Sequence, residues 1–177
     1  MAVTLDSYSE SNVNDETNLE ITGGFDAVGQ SFTTPNDGNT YTLDSCKFYL
    51  KYTVAPTGNL TGQLFAHTGS YGGGGTATGA VLATSSVIDS STLGATMALV
   101  TFTFDNTYTM SANTNYVIAV DGASITGTVK VGSDSTSPTH GGNGMYYAAG
   151  WTADTRDVAF YVYGNAVSNF IPTVTIF

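Results

Sequence analysis

The chain has 177 residues, of which four are Lys or Arg and 14 are Asp or Glu, giving a formal net charge of −10. This length suits one domain with a substantial core and is short for two. The negative charge argues against nucleic acid and anionic membrane surfaces as partners, because both attract clustered basic residues. Only 10% of the residues are charged, and 21 glycines with 12% aromatic residues favour short strands joined by tight turns.

The first 22 residues predict an N-terminal arm. Residues 2–5 could form a short strand, residues 7–18 are polar, and the Gly23-Gly24 pair then interrupts the pattern. We expect this arm either to pair at a sheet edge or to pack on a neighbouring subunit. Its start carries neither a positively charged region nor an apolar run, so no signal peptide is predicted.

Residues 42–54 give the clearest strand pattern in the chain. A period of two predicts one face in a core and one face in water. The residues expected to point inward are Cys46, Phe48, Leu50, Tyr52 and Val54. Lys47 and Lys51 fall on the opposite face, and Cys46, the one cysteine, is predicted to be a small buried apolar residue.

Further segments combine β-prone residues with flanking Gly, Pro, Asn or Asp. They cover residues 25–34, 59–67, 80–88, 97–105, 116–120, 127–131 and 157–163, with an aromatic stretch at 145–151. Residues 69–79, with four consecutive glycines, and residues 133–144 predict loops. About ten strands around one core predict an all-β fold, a two-sheet antiparallel β-sandwich of jelly-roll-like form, over residues 23–165.

Residues 166–177 predict an apolar, β-prone C-terminal tail. Pro172 excludes its surroundings from a central strand position. Because a free apolar tail promotes aggregation, we expect it to be covered, either by its own domain or by a neighbouring subunit. The predicted assembly contacts are Phe170, Ile171, Val174, Ile176 and Phe177.

The sequence gives little support to catalysis. Neither His67 nor His140 has an acidic neighbour, and the G-x-S-x-G motif of a nucleophile elbow is missing. All three Glu lie in the arm, which is a poor place to preorganise chemistry. We therefore expect no enzyme activity and no cofactor. Asp134 and the 154–157 segment could supply oxygens to a structural calcium, although no spacing resembles an EF-hand and solvated loop acids are the simpler interpretation.

Sugar binding is the small-ligand function that the residues favour, since carbohydrate sites combine flat aromatic faces with a few polar groups. Aromatic residues follow a polar loop, and a further tyrosine lies in the glycine-rich loop. The predicted glycan-binding residues are Tyr71, His140, Asn143, Tyr146, Tyr147 and Trp151. The alternative is that two of these aromatic residues belong to the core and that Trp151 caps an edge of the sandwich.

Several segments, taken in order, resemble one known family. They are G-Q-S-F-T-T (29–34), L-D-S-C-K-F-Y-L-K (43–51), P-T-G-N-L-T-G-Q-L-F-A-H-T-G (56–69), G-A-V-L-A-T-S (79–85), L-V-T-F-T-F (99–104), S-P-T-H-G-G-N (137–143) and R-D-V-A-F-Y-V-Y-G (156–164). Together they resemble jelly-roll β-sandwich accessory domains of tailed-phage virion proteins and bacterial surface proteins. The resemblance implies a carbohydrate-binding-module-like sandwich that brings no catalytic residues.

The resemblance suggests two functions. The first is a structural virion protein of a tailed bacteriophage, such as a capsid decoration, head fibre or tail fibre subunit. It would be made in the host cytoplasm without a signal peptide and would assemble with capsid or tail proteins and with itself as a homo-oligomer. The alternative is a non-catalytic carbohydrate-binding module that adheres to glycans, for example on a host surface.

Overall fold

The computed structural model describes residues 1–20 and 23–167. Fifteen strands and two short 3₁₀ turns are found there. In chain order the strands are β1 (Val3–Tyr8), β2 (Asp15–Leu19), β3 (Ala27–Thr33), β4 (Thr40–Thr57), β5 (Asn59–Thr68), β6 (Thr76–Thr84), β7 (Ile88–Asp89), β8 (Ala98–Thr103), β9 (Thr109–Met110), β10 (Asn115–Asp121), β11 (Thr126–Asp134), β12 (Gly144–Tyr147), β13 (Trp151–Ala153), β14 (Asp157–Val158) and β15 (Phe160–Val167). The 3₁₀ turns span Glu10–Asn12 and Ser90–Thr92, and none of the helical segments described is long enough to cross a bilayer.

The strands form two antiparallel sheets, which confirms the predicted all-β sandwich. Sheet A contains eight strands around β4, which pairs with β15 and β11 along one edge and with β8 and β9 along the other. Sheet B contains seven strands in the order β13-β12-β3-β10-β5-β6, with β7 beside β5. The chain crosses repeatedly between the two sheets, for example from β3 in sheet B to β4 in sheet A and back to β5 in sheet B.

One apolar core lies between the two sheets. Strand β4 contributes Leu43, Cys46, Phe48 and Leu50, all 1% exposed or less. Leu43 and Cys46 both point inward although they are three residues apart, because the pairing with β15 skips one β4 residue there. The predicted period of two is therefore confirmed in the centre of the strand.

The prediction for the end of this strand was wrong in part. Val54, predicted to point inward, is 57% exposed. The pairing of β4 with β11 shifts between Tyr52 and Val54, so the alternation that fixes the inner face does not continue past this point. Cys46 is buried as predicted, and its burial raises the pKa of the thiol well above its ordinary value.

The described part of the N-terminal segment belongs to sheet A. Strand β1 pairs with β15, and β2 pairs with β11. Leu5, Tyr8 and Leu19 are buried in the common core. Residues 3–19 therefore extend a sheet of their own domain. The predicted tail contacts Phe170, Ile171, Val174, Ile176 and Phe177 lie outside the described residues.

Two predicted segments have different bounds in the structure. Strand β6 begins at Thr76, within the predicted loop, and Gly79 at φ +74° allows its backbone to pass an irregularity in the pairing with β5. The aromatic stretch is a hairpin, because β12 ends at Tyr147 and β13 starts at Trp151.

Sheet B curls strongly, so that β13 approaches β6 across its outer face. This curl encloses a second, smaller apolar cluster on the side away from the main core. Its members are Phe65, Ala77, Val117, Ala119 and Met145, with Trp151 packed against them. Phe65 faces outward from the sandwich but is only 6% exposed, because it belongs to this second cluster.

Candidate functional site

The curl of sheet B opens at one end into a groove of about 310 Å³, here called the outer-face groove. Its lining comes from six of the strands of sheet B and combines apolar, aromatic and polar residues. The lining residues are Ala27, Gln63, Phe65, Gly79, Ala80, Val81, Asp121, Tyr147 and Trp151.

Strand register explains why this surface is concave. Ala27 pairs with Asp121 on one side and with Tyr147 on the other. Directly paired residues share a face, so Asp121 and Tyr147 stand two strand spacings apart, roughly 10 Å, with a methyl group between them. The next row holds Gly29 and Ala119, also small. Of these small residues Ala27 lines the groove and forms its floor, and larger side chains form the walls.

The β12–β13 hairpin supplies the aromatic wall. The Trp151 ring lies edge-on to Phe65, with ring centroids 5.2 Å apart, and to Tyr147, at 5.4 Å. Tyr146 points to the opposite face of β12, where it stacks on Phe25 at 4.0 Å. Alternation along one strand therefore places Tyr147 in the groove and removes Tyr146 from it.

The polar wall carries hydrogen-bonding groups. Asp121 accepts a hydrogen bond from the backbone N–H of Ala123 at 3.2 Å. Burial raises the pKa of its carboxyl, and the nearby charge of Asp26 raises it further. Gln63, on the strand beside that of Asp121, adds an amide that can donate and accept. The groove can therefore bind a ligand that has both an apolar face and hydroxyl groups.

A second concavity, the loop cleft, lies at the other end of sheet B and measures about 400 Å³. It is lined by Gly72, Gly73, Gly74, Pro138, His140, Gly142, Asn143, Ala153, Asp154, Thr155 and Asp157. The glycine-rich loop docks here, since the Asn143 side-chain amide donates to the carbonyl of Gly75 at 3.0 Å. A side chain at Gly72, whose φ is +69°, would overlap the carbonyl of Gly141, so this approach depends on glycine.

His140 is held on both ring nitrogens. Nε2 lies 3.2 Å from Asp6 Oδ1, whereas Nδ1 lies 3.1 Å from both the Gln30 side-chain amide nitrogen and the Gly142 backbone nitrogen. Nδ1 is the acceptor of these N–H groups, so Nε2 carries the proton and donates to Asp6. Asp157 accepts from Gln30 and from the His140 backbone. This network fixes the loop and leaves neither nitrogen available as a base.

Asp134, a predicted calcium ligand, already has protein partners. Its carboxylate accepts hydrogen bonds from the Tyr8 hydroxyl at 2.7 Å, the Asn14 amide, and the backbone N–H groups of Thr136 and Ser137. The Tyr8 hydrogen bond, with help from the others, lowers the pKa of Asp134 to about 2.

The carboxylates of the 154–157 segment also have protein partners. Asp154 pairs with Arg156, whose Nη2 lies 2.5 Å from Oδ2. Within residues 1–20 and 23–167, no group of three or more His, Cys, Asp and Glu side chains is arranged to hold a metal ion. The described geometry therefore gives no basis for a calcium centre.

The six predicted glycan-binding residues are distributed over separate places. Tyr147 and Trp151 line the outer-face groove, and His140 and Asn143 line the loop cleft. Tyr71 packs edge-on to the ring of His67 with centroids 5.9 Å apart, and burial raises the pKa of its hydroxyl. Tyr146 lies against Phe25, as described above.

Sequence reasoning missed the other groove residues, of which Gln63, Phe65 and Asp121 matter most. Alternation along residues 59–67 puts Gln63 and Phe65 on the face of β5 opposite Leu64, and an aromatic residue on that face was the available signal. Asp121 gave no such signal, because its position beside Ala27 depends on the pairing of segments that are distant in the chain.

The fold and the groove together define a β-sandwich module with an aromatic-lined concave surface on one sheet. Comparison with known proteins gives no matching family model, no matching curated protein and no matching solved structure. The function must therefore be inferred from the geometry and from the resemblance stated above.

Proposed function

We propose that this protein is a non-catalytic glycan-binding module whose ligand occupies the outer-face groove. The observation that carries the proposal is that Trp151 and Tyr147 line the same groove as Asp121 and Gln63, with Ala27 between Tyr147 and Asp121. Ligand sites of this kind combine apolar and aromatic walls with a few oriented polar groups.

A sugar ring matches these walls physically. One face of a pyranose presents mostly C–H groups, which pack against an aromatic ring and lose contact with water. Its hydroxyl groups can donate to the Asp121 carboxylate, and a hydrogen bond to a charged acceptor is stronger than a neutral one. Gln63 can both donate to and accept from further hydroxyls.

The test is a glycan array followed by calorimetric titration of the strongest hit. We expect the intact protein to bind, and Tyr147→Ala and Asp121→Asn each to weaken binding by roughly tenfold or more, about 1.4 kcal/mol. Tyr146→Ala is the matched control, because it removes the neighbouring ring from the opposite face and should leave affinity unchanged.

Trp151→Ala should abolish binding but also lower stability, because this side chain packs on the second cluster. Tyr147→Ala and Asp121→Asn, compared with Tyr146→Ala, are therefore the decisive variants. Absence of binding across a broad array, or equal losses in Tyr146→Ala and Tyr147→Ala at matched thermal stability, would refute the proposal.

We propose a second function, compatible with the first: a structural virion protein of a tailed phage that assembles with other virion proteins and with its own copies. The resemblance supports it, as does strand β1, which lies at the end of sheet A and pairs with β15 alone among the described strands. Such an edge suits assembly by strand addition.

The second proposal is tested on particles. Mass spectrometry and antibody labelling of purified virions should detect the chain at a fixed copy number, and a variant ending at Val167 should fold but no longer join them. A chain missing from washed particles, or a truncated chain incorporated at full occupancy, would contradict this assignment.

A further inference from the structure

We infer that the outer-face groove selects glycans that carry no negative charge, meaning neutral or amino sugars, and rejects uronates, sialic acids and sulfated sugars. The inference rests on the proposed glycan-binding function and adds the chemical class of the ligand. It follows from where the charged side chains lie around the groove.

The groove is negatively charged at its polar wall. Asp121 lines the groove directly beside Ala27, its partner in the pairing of β10 with β3. Asp121 is half-buried, so its carboxylate is partly removed from water, and this burial is the main cause of its raised pKa. The charge of Asp26 contributes to the raised pKa of Asp121. A negative charge placed on the floor would be repelled by the Asp121 carboxylate, with little screening by solvent.

The basic residues are all committed elsewhere. Lys51 pairs with Glu16 at 2.5 Å, and Lys130 bonds to Asn18 on the outer face of sheet A. Lys47 lies over the ring of Tyr163 on the same sheet, 5.3 Å from its centroid. Arg156 contacts Asp154 and Asp15.

These four are the only Lys and Arg residues in the sequence, and none lines the groove. An anionic sugar would therefore lose hydration without gaining a cation. A sugar hydroxyl loses less on leaving water and supplies the proton that the Asp121 carboxylate can accept.

The experiment uses the intact protein and pairs of oligosaccharides that differ only in charge. The strongest neutral hit of the array is compared with the same oligosaccharide oxidised at C6 to the uronic acid. At low salt we expect the uronate to bind at least roughly tenfold more weakly, a gap of about 1.4 kcal/mol. The gap should narrow at high salt, because ions screen the repulsion.

Asp121→Asn removes the charge and keeps the shape, so the uronate should bind this variant more tightly than it binds the wild type, and most of the gap between the two ligands should close. Asp37→Asn, an exposed acid in the β3–β4 turn, is the matched control and should leave the gap unchanged. A uronate that binds as tightly as the neutral sugar, or a gap that survives Asp121→Asn, overturns the inference while leaving glycan binding intact. Failure of both ligands and of the whole array overturns the proposed function itself.

Discussion

At the scale of single residues, Asp134 shows how a buried acid organises a loop. Asp134 is almost completely buried, yet its ionised form is stabilised by hydrogen bonds. The donors are the hydroxyl of Tyr8, on β1, and the backbone N–H groups of Thr136 and Ser137. The pKa of about 2 expresses this stabilisation. Because the pKa in an unfolded chain is about 3.9, folding favours the ionised carboxylate above that pH.

This linkage predicts how stability depends on pH. The contribution of Asp134 is fully present above about pH 4 and is lost as pH falls toward 2. Asp134→Asn should therefore have a lower melting temperature than the wild type at pH 7. The difference between the two proteins should shrink between pH 4 and pH 2, as measured by thermal denaturation followed by circular dichroism.

Asp121 provides a control, because its pKa is shifted in the opposite direction to that of Asp134. Burial raises its pKa in the folded state, so its ionised form opposes folding at neutral pH and protonation relieves this cost. Asp121→Asn should be at least as stable as the wild type at pH 7 and lose that advantage in acid. A difference for Asp134→Asn that stays constant down to pH 2 would contradict the role assigned to Asp134.

At the scale of elements, the contact between β5 of sheet B and β8 of sheet A sets the spacing of the layers. A β-carbon added at Gly62 would lie 2.9 Å from Phe102 Cβ and 3.1 Å from Cys46 Sγ. Both neighbours are completely buried, so they have little room to move. Glycine is needed here because the two sheets approach closely.

Gly62→Ala is therefore expected to reduce the free energy of unfolding by about 1–3 kcal/mol, the usual cost of overpacking a core. Chemical denaturation followed by fluorescence measures this change. Gly94→Ala is the matched control, since its nearest new contact would be 3.6 Å away. Equal midpoints for the two variants would show that the layers are not tightly packed at Gly62.

The bounds of the hairpin β12–β13 determine which aromatic side chains line the groove. The sequence pattern showed residues 145–151 as one continuous aromatic stretch and did not indicate which tyrosine faces the groove. The turn between Tyr147 and Trp151 brings these two rings together on one face, while Tyr146 remains on the other. A turn that lacks a strong sequence signal thus separates neighbouring aromatic residues with different roles.

At the scale of the whole molecule, the sandwich was predictable because period-two patterning is a local property of the sequence. The inner face of β4 around Phe48 and the buried Cys46 follow from it directly. The curl of sheet B was not predictable, since it depends on contact between β6 and β13, which are far apart in the chain. The groove is a consequence of that curl, so Asp121 and Gln63 could not be connected to Trp151 from sequence alone.

The central claim is that a sugar binds in the outer-face groove. Titration of the isotope-labelled protein with the best neutral oligosaccharide, followed by two-dimensional NMR, tests this claim most directly. We predict that the resonances of the Trp151 indole N–H and the Gln63 side-chain amide change in chemical shift and fit one common dissociation constant. The chemical shifts of the backbone amides of Gly72, Gly73 and Gly74, in the loop cleft, should not change. Shifts confined to the loop cleft, or no shifts at saturating sugar, would contradict the account.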